Sequence, residues 1–155
     1  MKLLDLLMVE DEDNDCVLFG VAVHKTHLNI CLQTVTDGEE AIDYLEGRGV
    51  YVDRGLHPLP SLVVMDLNLR LNGALDFLDW RRASALFSSL PVVILSGLAY
   101  KGAIETALAM GAKTFIAKPC EFDDWQAVVR QIWDAGIEGS EPGVYTPCLK
   151  ELGLL

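Results

Sequence analysis

The chain has 155 residues, with 12 Lys and Arg against 23 Asp and Glu, for a formal charge of −11 at pH 7. That balance speaks against nucleic acid as the main partner, because phosphate binding draws on clustered Lys and Arg that release counterions, and it suits cations or basic protein faces. With 51% hydrophobic and 23% charged residues the chain is globular rather than disordered, and a chain of this length buries roughly 70% of its unfolded surface, so a core needs neither disulfides nor a structural metal.

The apolar opening Leu3–Val9 is broken by Asp5 and preceded by a single Lys2. It is too short and too charged for a signal peptide or a membrane span, so a cytoplasmic protein without membrane contact is expected. Its core, Leu4–Val9, reads as a strand, followed by a helical pattern from about Asp13 to Lys25 and an alternating strand, Leu28–Val35. Thr36-Asp37-Gly38-Glu39 has the spacing of a capping box, and Ala41, Ile42 and Leu45 then share one helical face, with an end near Gly47. Residues 47–60, rich in Gly and Pro and without a period, read as a long surface loop.

A third strand runs from Ser61 to Asp66, and a third helix fits Ala74–Leu86 with Leu75, Leu78 and Ala85 inward. A fourth strand is Pro91–Ser96, a fourth helix lies around Lys101–Met110 and closes at Gly111, and a fifth strand is Thr114–Ala117. The last helix, Phe122–Ala135, repeats Trp125, Val128, Val129 and Ile132 on one face. Strands built of continuous Val, Ile and Leu and separated by helices imply a parallel sheet covered on both faces, a doubly wound (βα)5 α/β sandwich of three layers. Residues 1–137 form this domain; 138–155, with Pro142 and Pro147, form a C-terminal tail without an output module. Cys16, Cys31, Cys120 and Cys148 are scattered without a C-x-x-C pair and read as free thiols.

In an open α/β sheet, ligands bind beyond the carboxyl ends of the strands at the topological switch point. Strand one ends in Glu10-Asp11, strand three in Asp66, strand four in Ser96 and strand five in Lys118-Pro119. In the flavodoxin-like order 2-1-3-4-5, Asp11 and Asp66 become neighbours. Two carboxylates about 4 Å apart at an effective dielectric near 20 repel by on the order of 4 kcal/mol, which calls for a cation or for raised pKa values. Mg²⁺ suits a site with few protein ligands. With a hydroxyl and a lysine added, the set fits phosphoryl transfer to a nucleophilic Asp66, Lys118 and the metal neutralising the transferring group and Ser96 bonding one of its oxygens.

The segments MVEDEDND, VVMDLNL, VVILSG and FIAKP, four motifs in order at four strand ends, together resemble the response-regulator receiver domain family over about residues 3–135. The resemblance implies Asp66 as phosphoacceptor and Glu10 and Asp11 as an acidic Mg²⁺ pocket completed by Asp66 and the main-chain carbonyl of Asn68. It implies Ser96 as switch hydroxyl, Lys118 as phosphate-binding lysine, Phe115 as aromatic switch and a cis bond at Lys118-Pro119. The long loop and the VEDEDND opening are most similar to single-domain regulators associated with phytochrome-type kinases. The implied partners are a sensor histidine kinase or a histidine phosphotransfer protein, and a downstream protein met through the face of helix four, strand five and helix five, where Tyr100, Lys101, Phe115 and Trp125 fall and where homodimerisation is also an option. Arg70 stands where the family commonly has Pro, and Gly73 comes one residue early, so the loop after Asp66 reads as short. Leu98, two residues after Ser96, implies slow loss of the phosphoryl group.

Other readings stand beside this one. The acids at 10–13 also suit a solvated cap on the first helix. A receiver that is never phosphorylated and acts as an adaptor is a second reading, and a haloacid-dehalogenase-type phosphatase a third. His24 and His27, three apart, lack a third ligand nearby and read as solvated. The tryptophans Trp80, Trp125 and Trp133 read as packing rather than as a base-stacking platform.

Overall fold

The computed structural model describes residues 2–69, 73–97, 101–137 and 143–144. Strands β1 (Leu4–Val9), β2 (Ile30–Val35), β3 (Leu62–Met65), β4 (Val92–Ser96) and β5 (Thr114–Ala117) alternate with helices α1 (Asp13–Thr26), α2 (Gly38–Glu46), α3 (Ala74–Ala83), α4 (Lys101–Ala109) and α5 (Trp125–Ile137). The sheet has the order β2-β1-β3-β4-β5, as expected, and a short strand β6 (Gly143–Val144) extends it beyond β5. All pairings are parallel. No helix among the described residues is long and apolar enough to cross a membrane.

The inner strands β1, β3 and β4 are apolar at nearly every position because both faces are covered, whereas the edge strand β2 carries Gln33 and Thr34. Leu7 and Val9, Val63 and Met65, Val92 and Ile94, and Phe115 and Ala117 face α2, α3 and α4. The residues between them, Leu6 and Met8, Leu62 and Val64, Val93 and Leu95, and Ile116, face α1 and α5, where Phe19 meets Trp125 edge to face. Each fully buried side chain of this size contributes about 1.5–3 kcal/mol relative to exposure.

Local chemistry moves three boundaries. Asp37, not Thr36, is the N-cap of α2: its Oδ1 accepts from Glu40 N at 2.8 Å, while Glu40 Oε2 accepts from Thr36 N and Oγ1. The cap sits one residue later than the spacing predicts, because the Asp37 carboxylate reaches the free Glu40 amide while Glu40 turns back to Thr36. Helix α3 stops at Ala83, and Ser84 accepts from Phe87 N at 3.2 Å to start a turn that leaves Ala85 exposed rather than inward. Phe122–Asp124 forms a 3₁₀ turn ahead of α5.

The loop 47–60 is anchored. It carries a 3₁₀ turn at Gly49–Tyr51, and Arg54 donates to the carbonyls of Tyr44 at 2.8 Å, Leu45 at 2.7 Å and His57 at 3.2 Å. A guanidinium thereby satisfies the last carbonyls of α2, at the negative end of its dipole. Tyr44, Tyr51 and His57 pack ring against ring beneath it, and Tyr44 donates to Pro58 O at 2.8 Å.

Candidate functional site

The parallel ladder continues for one residue past the strands, and this sets the site. Glu10 N donates to Val35 O and Asp66 N to Val9 O, so the first residues beyond β1 and β3 stand side by side. Lys118 N donates likewise to Ser96 O at 2.9 Å. The Lys118-Pro119 bond is trans, a correction to the expected cis form; the amide that precedes it is held in this ladder contact.

The side chains of the expected residues meet. One oxygen each from Glu10, Asp11 and Asp66 lie within 4.8 Å of one another. Glu10 is 2% exposed and Asp66 7%, and Ser96 is fully buried. Lys118 Nζ donates to Asp66 Oδ2 at 2.8 Å, to Asp15 Oδ2 at 2.7 Å and to Glu10 Oε1 in a shorter contact. Asn68 stands two residues past Asp66, its amide N donating to Asp66 Oδ1 at 2.9 Å and its side-chain Nδ2 to Ser96 Oγ at 2.8 Å.

Burial pushes the Glu10 carboxyl up, to about 8, against the pull of its hydrogen bond with Lys118 and with the help of Asp66. Burial also works against the charge on Lys118, but hydrogen bonds to Asp15, Asp66 and Glu10 outweigh it and hold its pKa above the usual lysine value. The shifts differ in origin, burial leading for Glu10 and hydrogen bonds to three carboxylates for Lys118, but both arise in a cluster where carboxylates outnumber the ammonium. A hard divalent cation relieves the same imbalance, and three carboxylate oxygens this close are a donor set suited to it.

Phe115 lies deeper on β5, opposite Ile94 and fully buried in the layer under α2, α3 and α4. Arg70, Leu98 and Tyr100 lie outside the described residues, and with them the short loop and the expected brake on dephosphorylation. His24 and His27 are exposed, their rings 6.4 Å apart, with no third ligand among the described residues. Trp80 stacks on Phe87 and Trp125 is buried, as packing residues. Asp15 is the residue that sequence reasoning passed over. Its place in the first turn of α1, directly after the acids that close β1, was the available signal.

A family model for the response regulator receiver domain matches residues 6–130. The chain belongs to that family, whose members act in two-component signalling. It is 31% identical over 113 residues to the response regulator Rre1 of Synechocystis, across 73% of this chain and 45% of that protein, so it spans less than half of that relative's length. Among solved structures it is similar to the response regulator RPA3017 in red light signaling of R. palustris, at 27% identity and a TM-score of 0.82, covering 90% of this chain and 97% of that one. It shares the fold of the phosphorylated cyanobacterial phytochrome response regulator RcpA, at 24% identity and a TM-score of 0.79, covering 90% of this chain and 97% of that one.

Proposed function

We propose that this receiver accepts a phosphoryl group on Asp66 from a histidine kinase or a histidine phosphotransfer protein in the cytoplasm, and signals by changing its affinity for another protein. The observation that carries the reading is the hydrogen bond from Lys118 Nζ to Asp66 Oδ2, at the carboxyl ends of β3 and β5 and beside the Glu10–Asp11–Asp66 cluster.

In this reading an Asp66 carboxylate oxygen attacks phosphorus in line, a P–O bond forms, the P–N bond to the donor imidazole breaks, and the departing nitrogen takes up a proton. Lys118 turns one ammonium hydrogen from Asp66 to a phosphoryl oxygen, and Ser96 Oγ bonds another. Glu10, Asp11, Asp66 and the main-chain carbonyl of Asn68 would hold Mg²⁺, which when bound supplies charge neutralisation of the transferring group. Inward movement of Ser96 would bias Phe115, shifting the population between two conformers that present the α4–β5–α5 face differently to a partner or a second copy. The receiver unit in this reading is residues 1–137, supported by the likeness to the R. palustris regulator, 97% of which this chain covers.

The test is intact mass after incubation of the full chain with acetyl phosphate and Mg²⁺, beside Asp66→Asn and a chelated sample. A gain of one phosphoryl group that needs both Asp66 and Mg²⁺ is expected. No gain in a folded sample overturns the reading and favours the unphosphorylated adaptor.

A further inference from the structure

Lys118 spends all three of its ammonium hydrogens on carboxylates, and the three acceptors are not equivalent. Glu10 and Asp66 belong to the cluster that offers its oxygens to a cation. Asp15 does not: it comes from the first turn of α1, a quarter exposed at the rim, and reaches Lys118 at 2.7 Å. A cation at the cluster would draw on Glu10 and Asp66, and a phosphoryl group on Asp66 would take over the hydrogen now given to that residue. The contact with Asp15 is the one that neither event consumes.

We propose that Asp15 is a positioning residue for Lys118, the anchor that keeps its ammonium over the acceptor while its bonds to Glu10 and Asp66 are exchanged for metal and phosphoryl group. The proposal rests on the receiver reading. An ammonium on a flexible four-carbon stem is a point charge without a fixed direction, and it loses rotamer freedom to be useful. A carboxylate at the rim, fixed to a helix rather than to a strand end, removes that freedom beforehand. It also gives the displaced ammonium a place beside the site, instead of leaving it to compete with the cation for Glu10.

The experiment compares the full chain with Asp15→Asn, Asp15→Glu and Asp13→Asn. The last removes one charge from the same helical turn at an exposed residue. Lysine ammonium resonances are followed in ¹⁵N-lysine-labelled, metal-free protein, with Lys118 assigned by its loss in Lys118→Met, and phosphorylation by acetyl phosphate is timed at saturating Mg²⁺. Asp15→Asn is expected to shift or broaden the Lys118 resonance and to slow phosphorylation by roughly five- to tenfold, the size of one partly exposed charge-assisted hydrogen bond. Asp15→Glu should recover most of the rate, and Asp13→Asn should leave both readouts as they are. An unchanged Lys118 resonance in folded Asp15→Asn overturns the proposal, and so does an equal slowing in Asp13→Asn, which would mark a general field effect. If the unaltered chain takes no phosphoryl group, the receiver reading fails by itself and the resonance still decides whether Asp15 holds Lys118.

Discussion

The amide of Asn68 donates to the carboxylate of Asp66 at 2.9 Å, and the side chain of the same asparagine reaches Ser96 Oγ at 2.8 Å. One residue thus steadies Asp66 through its backbone and ties the end of β4 to the end of β3 through its side chain. Asn68→Ala keeps the amide and the carbonyl and removes the tie to Ser96. Unfolding stability should drop by about 0.5–1 kcal/mol, the net worth of one neutral hydrogen bond, while Mg²⁺ affinity by titration calorimetry stays as in the unaltered chain. A lost metal affinity would mean that the side chain, not the carbonyl, is the ligand.

The raised Glu10 carboxyl makes stability depend on pH. Unfolded, Glu10 titrates near its ordinary 4.5; folded, near 8. Between those values the folded chain binds the extra proton, so the contribution is fully present below about pH 4.5 and is lost as pH rises through about 8. Urea unfolding of the metal-free chain should show the decline, and Glu10→Gln should flatten it, the two curves differing by on the order of a few kcal/mol across the window. Parallel curves would show that Glu10 is not the titrating group.

Arg54 closes the C-terminus of α2 with hydrogen bonds to Tyr44 O, Leu45 O and His57 O. Arg54→Ala should cost about 1–2 kcal/mol through the unpaired carbonyls and should open the segment 48–60 to limited proteolysis. Phosphorylation of Asp66 should continue at an unaltered rate, because the bonds lost are at the far end of α2 from Asp37.

Gly136 is a close-packing glycine within α5. A Cβ there would lie 2.7 Å from Leu4 Cδ1 and 3.3 Å from Leu62 Cδ2, both fully buried residues. Gly136→Ala gains about 1 kcal/mol of helix propensity but overpacks the layer at a cost of typically 1–3 kcal/mol. Thermal denaturation should therefore show a net loss, and a gain would mean that α5 can move outward freely.

The strand ends were readable because chemistry and position coincide there: an acid closing an apolar run at Asp66, a hydroxyl at Ser96, an ammonium at Lys118. Phe115 was readable as a residue of β5 in a sheet covered on both faces, but which of the two layers it enters was not, since alternation gives a face only relative to its neighbours. The cap of α2 was ambiguous by one residue because Thr36 and Asp37 are both good caps and Glu39 and Glu40 both good partners. Helix α3 read too long, since Ala85 and Leu86 continue its period while the Ser84 hydroxyl ends it. Asp15 and Arg54 were passed over for different reasons: Asp15 acts on a lysine 103 residues on, and Arg54 acts on the nearby carbonyls of Tyr44, Leu45 and His57, backbone groups that no side-chain pattern marks.

The pairing of Val9 with Met65 bears on folding as well as on the site. Side chains alternate along β3, so a slip of one residue against β1 would send the row of Val63 and Met65 to the opposite layer and draw the Asp66 carboxylate back among Leu and Val side chains. An unpaired carboxylate in that position costs several kcal/mol. Asp66 thus serves as a register mark, a charge that penalises misthreaded sheets while the chain is still folding.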